Sequence, residues 1–124
     1  MLYLFAKVFY SHFMKIGFVT EKLQSIFNSE KKLIKKYGAN QTEKIRKRMK
    51  VLQFAATLAE VPVQKPDRRH QLKGNRKEQF AVDLHHPYRL VFKPEDDYPF
   101  LPDGGIDIKQ VTGIIILGVE DYHD

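Results

Sequence analysis

Near its end the chain carries Ile114-Ile115-Ile116-Leu117-Gly118-Val119, an apolar run that gives way to Glu120-Asp121-Tyr122-His123-Asp124. A short continuous apolar run with a polar exit predicts a strand buried on both faces, at the middle of a sheet. Upstream, Phe80, Val82 and Leu84 alternate with Ala81 and Asp83, and Tyr88, Leu90 and Phe92 alternate with Arg89, Val91 and Lys93. A period of two predicts half-buried strands, and the His85-His86-Pro87 link joins them as an antiparallel hairpin. Residues 14–19 predict a short edge strand at the start of the body.

Between that edge strand and the hairpin the apolar period changes. Thr20 is placed to cap a helix. Leu23, Ile26 and Phe27 follow at helical spacing, then Leu33, Ile34 and Tyr37, with Gly38 as terminator. The Asn28-Ser29 pair offers a break into two short helices, with Ser29 capping the second. Residues 40–60 give the clearest helix. Asn40 and Glu43 resemble a capping box, Ile45, Met49, Leu52, Ala56 and Ala59 form one apolar stripe, and Val61-Pro62 ends it. Gly74-Asn75 marks a turn, residues 94–105 an acidic mobile loop, and Asp107 the cap of a single helical turn. A strand, then helices, then a run of strands is α+β: an N-terminal strand and two helices packed on one face of a mainly antiparallel sheet. The opposite face is left open for a ligand.

Composition narrows the class. The 124 residues fit one domain, and 43% hydrophobic content with nine Phe and six Tyr supplies one core. The chain has no Cys, which excludes disulfides and thiolate metal sites. A net charge of +6 points to an acidic partner, nucleic acid or an acidic protein. Residues 1–13 are apolar and aromatic, yet shorter than the roughly 20 residues of a membrane span, and they lack the marks of a signal peptide. Either Met14 is the functional start and 1–13 an upstream misread, or 1–13 is a genuine extension. The domain proper is residues 14–124.

Three groups of residues could carry chemistry. They are Arg69, His70, Lys73, Arg76 and Lys77; Arg89 in mid-strand; and Asp121, Tyr122 and His123. Phosphodiester cleavage in RNA needs a group to take the 2′-OH proton, positive charge near the phosphorane, and a group to protonate the 5′-oxygen. Imidazole suits proton transfer near neutral pH, and no metal or other cofactor is required. Each residue also has an ordinary reading. His70 can be a loop histidine, Lys73 and Arg76 solvated turn residues, and Asp121-Tyr122-His123 a polar tail. Lys31, Lys32, Lys35 and Lys36 read most simply as a solvated face, and Lys44, Arg46, Lys47, Arg48 and Lys50 crowd the first half of the 40–60 helix. A zinc site from His70, His123 and Asp121 lacks any supporting His spacing. There is no Gly-rich phosphate loop and no nucleophile elbow.

Taken together, Arg69-His70-Gln71-Leu72-Lys73-Gly74-Asn75-Arg76, Phe80-Ala81-Val82, Tyr88-Arg89-Leu90-Val91-Phe92 and Val119-Glu120-Asp121-Tyr122-His123 resemble the HigB branch of the RelE superfamily. These are the toxins (killer proteins) of type II toxin–antitoxin modules. The resemblance covers about residues 14–124. It implies a small RelE-like fold and a cytoplasmic, metal-independent endoribonuclease, an mRNA interferase that enters the ribosomal A site and cleaves the mRNA there. By position it implies His70, Asp121, Tyr122 and His123 as catalytic residues, with Lys73 and Arg89 holding RNA phosphate; Arg69 and Arg76, from the basic cluster around His70, join them as candidate phosphate-binding residues. Its implied partners are a helix-turn-helix antitoxin of the HigA kind and the ribosome with mRNA in the A site. Operator DNA is reached only through the antitoxin, and no membrane is involved. The 94–105 loop is longer than in the shortest members, and 1–13 has no counterpart. The alternative is a non-catalytic RNA- or protein-binding module that binds an antitoxin and acts in operator autoregulation. A third reading is a ribosome-independent RNase.

Overall fold

In a computed structural model, residues 13–122 of the chain are described, together with the backbone of Leu2 and Tyr3. The architecture is α+β. Strands β1 (Leu2–Tyr3), β2 (Lys15–Phe18), β3 (His70–Gln71), β4 (Phe80–Asp83), β5 (Tyr88–Pro94) and β6 (Gly113–Asp121) form one sheet in the order β1-β2-β6-β5-β4-β3. Every pairing is antiparallel except β2 with β6. That parallel pair arises because the helices carry the chain away from β2 before the later strands form. With β1 beyond it, β2 is the second strand and not the edge. Most of the 1–13 extension lies outside the described residues.

Three helices precede the hairpin: α1 (Glu21–Phe27), α2 (Glu30–Tyr37) and α3 (Ala39–Phe54). The expected break falls at Asn28-Ser29. Thr20 caps α1 by accepting from the Leu23 amide at 3.1 Å, and Ser29 caps α2 by accepting from the Lys32 amide at 3.1 Å. Gly38, at φ 86°, closes α2 and opens α3, a backbone turn that favours glycine. Two expectations for α3 fail here. Gly38 takes the cap position and no side chain caps the helix, so the Asn40–Glu43 box does not form. The helix also stops at Phe54, not at Glu60, because the Ala55 backbone turns extended; a separate short turn, Leu58–Glu60, follows. The segment 94–105 is tied back on itself by a Phe100–Ile106 bridge and a Leu101 amide bond to the Gly105 carbonyl at 2.6 Å.

The core lies between the helices and one face of the sheet. Leu23, Phe27, Leu33, Ile45, Met49 and Leu52 pack against Ile16, Phe18, Phe80, Val82, Leu90, Phe92, Ile114 and Ile116. Among the described residues the opposite face carries a small cluster of Leu72, Ala81 and Val91, with Leu117 packed against it. Strand β6 is therefore covered fully on one side: Ile114 and Ile116 are buried, while Ile115 and Leu117 are half-buried. Burial on both faces is not reached, because no helix among the described residues covers the second face.

A bulge in β6 decides what that open face presents. Phe92 pairs with Ile116, but its neighbour Val91 pairs with Gly118, leaving Leu117 as the extra residue. Gly118 has φ +147°. Past the bulge Val119 pairs with Leu90 on the core side, and Glu120 pairs with Arg89 on the open side. Without the extra residue in the count, strand alternation from Ile116 would send Glu120 into the core. The bulge turns the end of β6, and Tyr122 two residues beyond Glu120, toward the open face.

Candidate functional site on the open sheet face

The register brings side chains from three strands into one row. Asp83 of β4 faces Arg89 of β5, and Arg89 faces Glu120 of β6. His70 of β3 lies one rung away, opposite Ala81. Arg68 enters just before β3 with φ 47°, a left-handed conformation rare for a side-chain-bearing residue. Its amide is held by the Gln64 carbonyl at 2.8 Å. That turn aims its guanidinium at Asp83, which it grips with two bonds, Nε to Oδ2 at 2.6 Å and Nη2 to Oδ1 at 2.9 Å.

Tyr122 sits at the centre. Its hydroxyl donates to Asp83 Oδ1 and accepts from Arg68 Nη2 at 2.5 Å. Its ring stacks on the His70 imidazole at 6.0 Å between centroids, and the Arg89 guanidinium lies 4.7 Å over it. Burial pushes the Tyr122 phenol up to about 12, helped by its bond to the Asp83 carboxylate. At neutral pH it is a protonated donor and a stacking platform, not a base. Burial works to raise the Asp83 carboxyl, but bonds from Arg68 and Tyr122 with the Arg68 and His70 charges outweigh it and hold Asp83 below the usual carboxylate range.

His70 donates its Nδ1 proton to the Arg68 carbonyl at 2.8 Å. A carbonyl can only accept, so the neutral ring carries its lone pair on Nε2. Arg76 grips Glu120 with two bonds of 2.8 and 2.7 Å, and this bond holds the Glu120 carboxyl below its ordinary range against the opposing effect of burial. Arg89 is differently placed. Its Nη2 lies 3.7 Å from a Glu120 carboxylate oxygen, too far for a hydrogen bond, and its buried Nε has no hydrogen-bond partner among the described residues. Arg68 and Arg76 are each matched bidentately to a carboxylate, so Arg89 is the cation least neutralised in the cluster.

Of the residues singled out from sequence, His70, Arg76, Arg89 and Tyr122 come together. Arg69 does not join them: its Nε donates to the Val61 carbonyl at 2.9 Å, on the other side of the chain from His70. Lys73 is exposed at the start of the Gly74–Arg76 turn and makes no side-chain bond among the described residues. Asp121 pairs with Tyr88, and strand alternation sets it on the face opposite Glu120. His123 lies outside the described residues. No three His, Asp or Glu side chains converge as metal ligands would among the described residues.

Arg68, Asp83 and Glu120 also belong to the cluster, although the sequence motifs do not single them out. A signal for one of them was present. Asp83 is the polar position at the end of an otherwise apolar strand, and hairpin pairing sets it opposite Arg89, an opposite-charge cross-strand pair. Arg48, one of the basic residues crowding the first half of α3, is only 5% exposed. Its Nε donates to the Asp83 carbonyl at 2.6 Å and lies 3.8 Å from Asp67 Oδ1.

No protein-family model matches the chain, and no curated protein matches it. No helix among the described residues is long and apolar enough to cross a membrane.

Proposed function

We propose that the chain is a metal-independent endoribonuclease, the toxin of a type II toxin–antitoxin module, cleaving mRNA on the ribosome in the cytoplasm. One observation carries the reading. A histidine with its Nδ1 proton committed to a carbonyl shares an open sheet face with an under-neutralised arginine, and both meet the ring of Tyr122. The motif resemblance to HigB toxins supports the same reading from the sequence.

In the proposed step His70 Nε2 takes the 2′-OH proton. The 2′-oxygen then bonds to the adjacent phosphorus, the bond from phosphorus to the 5′-oxygen breaks, and a 2′,3′-cyclic phosphate remains. Arg89, with Arg68 and Arg76 behind it, stabilises the charge that builds on the phosphorane. The 5′-oxygen leaves with a proton from His123. Tyr122 offers a face for a base. Lys73, exposed beside the cluster, holds a flanking phosphate. An antitoxin of the HigA kind neutralises the protein and carries it to operator DNA.

The test is induced expression of the wild type beside His70→Gln. General acid–base groups contribute about 10²–10⁴-fold, so the variant is expected to spare growth and leave translated mRNA intact. Equal growth arrest by both proteins sinks the assignment. The binding-module alternative draws on one observation: two of the three arginines are already matched to carboxylates of the chain itself. On that reading both proteins bind antitoxin and neither cuts RNA.

A further inference from the structure

We propose that Arg48, in the buried side of α3, is a positioning residue for the open-face cluster. The chain of contacts is continuous. The Asp83 amide donates to the Asp67 carbonyl at 2.9 Å, joining the end of β4 to the turn before β3. Arg48 bridges the same two residues from the helix layer, through the Asp83 carbonyl at 2.6 Å and the Asp67 carboxylate at 3.8 Å. Asp67 is followed directly by Arg68, whose side chain holds Asp83 and whose carbonyl fixes the His70 ring. Two turns earlier in α3, Gln41 accepts from the His85 amide at 2.8 Å, so the helix also grips the chain just past Asp83.

Burial argues that this is not simple adhesion. Arg48 and Asp67 are 5% and 6% exposed, and Asp67 Oδ1 is buried with no hydrogen-bond partner among the described residues. Removing two charges from water costs more than apolar packing, and an apolar pair of similar volume would hold α3 to the sheet at least as well. An apolar pair cannot set direction. Arg48 fixes the angle between the residue 67–68 turn and β4, and with it the left-handed Arg68 and the tautomer of His70. A small misplacement of such groups can cost on the order of 10²-fold in rate.

The test separates geometry from stability. In Arg48→Met/Asp67→Asn the pair is removed without leaving a buried charge, so the protein is expected to fold. Long-range ¹⁵N NMR then reads the His70 tautomer and the Arg68 Nε–H. The wild type is expected to show one His70 tautomer, protonated at Nδ1, and a sharp Arg68 signal. The double variant is expected to show mixed tautomers and a broadened Arg68 signal, with Arg48→Lys between the two. The kinetic arm rests on the proposed nuclease: cleavage should fall about 10- to 100-fold in kcat with little change in KM. Should the double variant not fold, Arg48→Met below its melting temperature gives the same NMR readout. Wild-type tautomer and Arg68 signals in either variant overturn the positioning role. Loss of those signals in a protein whose wild type never cleaves mRNA upholds the positioning role and overturns the nuclease.

Discussion

Replacing Tyr122 by Phe removes one oxygen and keeps the ring that meets His70 and Arg89. The lost hydroxyl donates to Asp83 and accepts from Arg68 at 2.5 Å. Bonds to charged groups contribute about 1.5–3 kcal/mol each. The Arg68 side chain is 39% exposed, so solvent screens the network and lowers the expected cost to about 1–2 kcal/mol. Asp83→Asn attacks the same network from its other side, so the two losses should not add; a double-mutant cycle should return a coupling of about 1 kcal/mol. Urea unfolding measures both, with an unchanged m-value. A second readout is independent of unfolding. Burial, and then Asp83, push the Tyr122 phenol up to about 12. Because the folded state holds that proton more tightly, the stabilisation is complete below about pH 10, the ordinary phenol value, and is lost as pH rises toward the folded value. The gap between wild type and Tyr122→Phe should therefore narrow in that window, and Asp83→Asn should bring the phenol back down. Additivity within about 0.3 kcal/mol, together with a Tyr122 phenol titrating near 10, refutes the network.

Three further outcomes are expected. Arg48→Met should cost about 3–5 kcal/mol in urea unfolding, since it strands the Asp67 carboxylate, and adding Asp67→Asn should recover most of the loss. Asp83 and Glu120 are held below the usual carboxylate range, so their contribution is present above that range and lost as pH falls through their folded values; the melting temperature should drop on acidification below about pH 4, and less steeply in Glu120→Gln. Thr20→Ala should cost about 1 kcal/mol in thermal or urea unfolding by leaving the Leu23 amide without its cap bond.

The parts of the fold set by local rules were legible in the sequence. Period two gave the hairpin of β4 and β5, the Thr20 and Ser29 hydroxyls marked where α1 and α2 begin, and Gly38 marked a helix end. The misses come from interactions at long range. Nothing in the period of Ile114-Ile115-Ile116-Leu117 announces the bulge, because a bulge is a property of two paired strands. Arg48 looked like its neighbours Lys47 and Lys50; only the packing of α3 on β4 buries it against Asp67. Within the site, the motifs pointed to His70, Arg89 and Tyr122, which do meet, whereas Arg69 alternates away from His70 to the Val61 carbonyl. Arg68 was hidden beside it, because a left-handed turn at that position cannot be read from composition.

We propose that the open face bearing His70, Arg89 and Tyr122 cuts mRNA during translation. Mapping the 5′ ends of cellular mRNA after induction tests it directly. New ends are expected inside translated codons, phased with the reading frame, and are expected to disappear in His70→Gln and Arg89→Gln. Ends spread without regard to translation, or codon-phased ends that persist in both variants, contradict it.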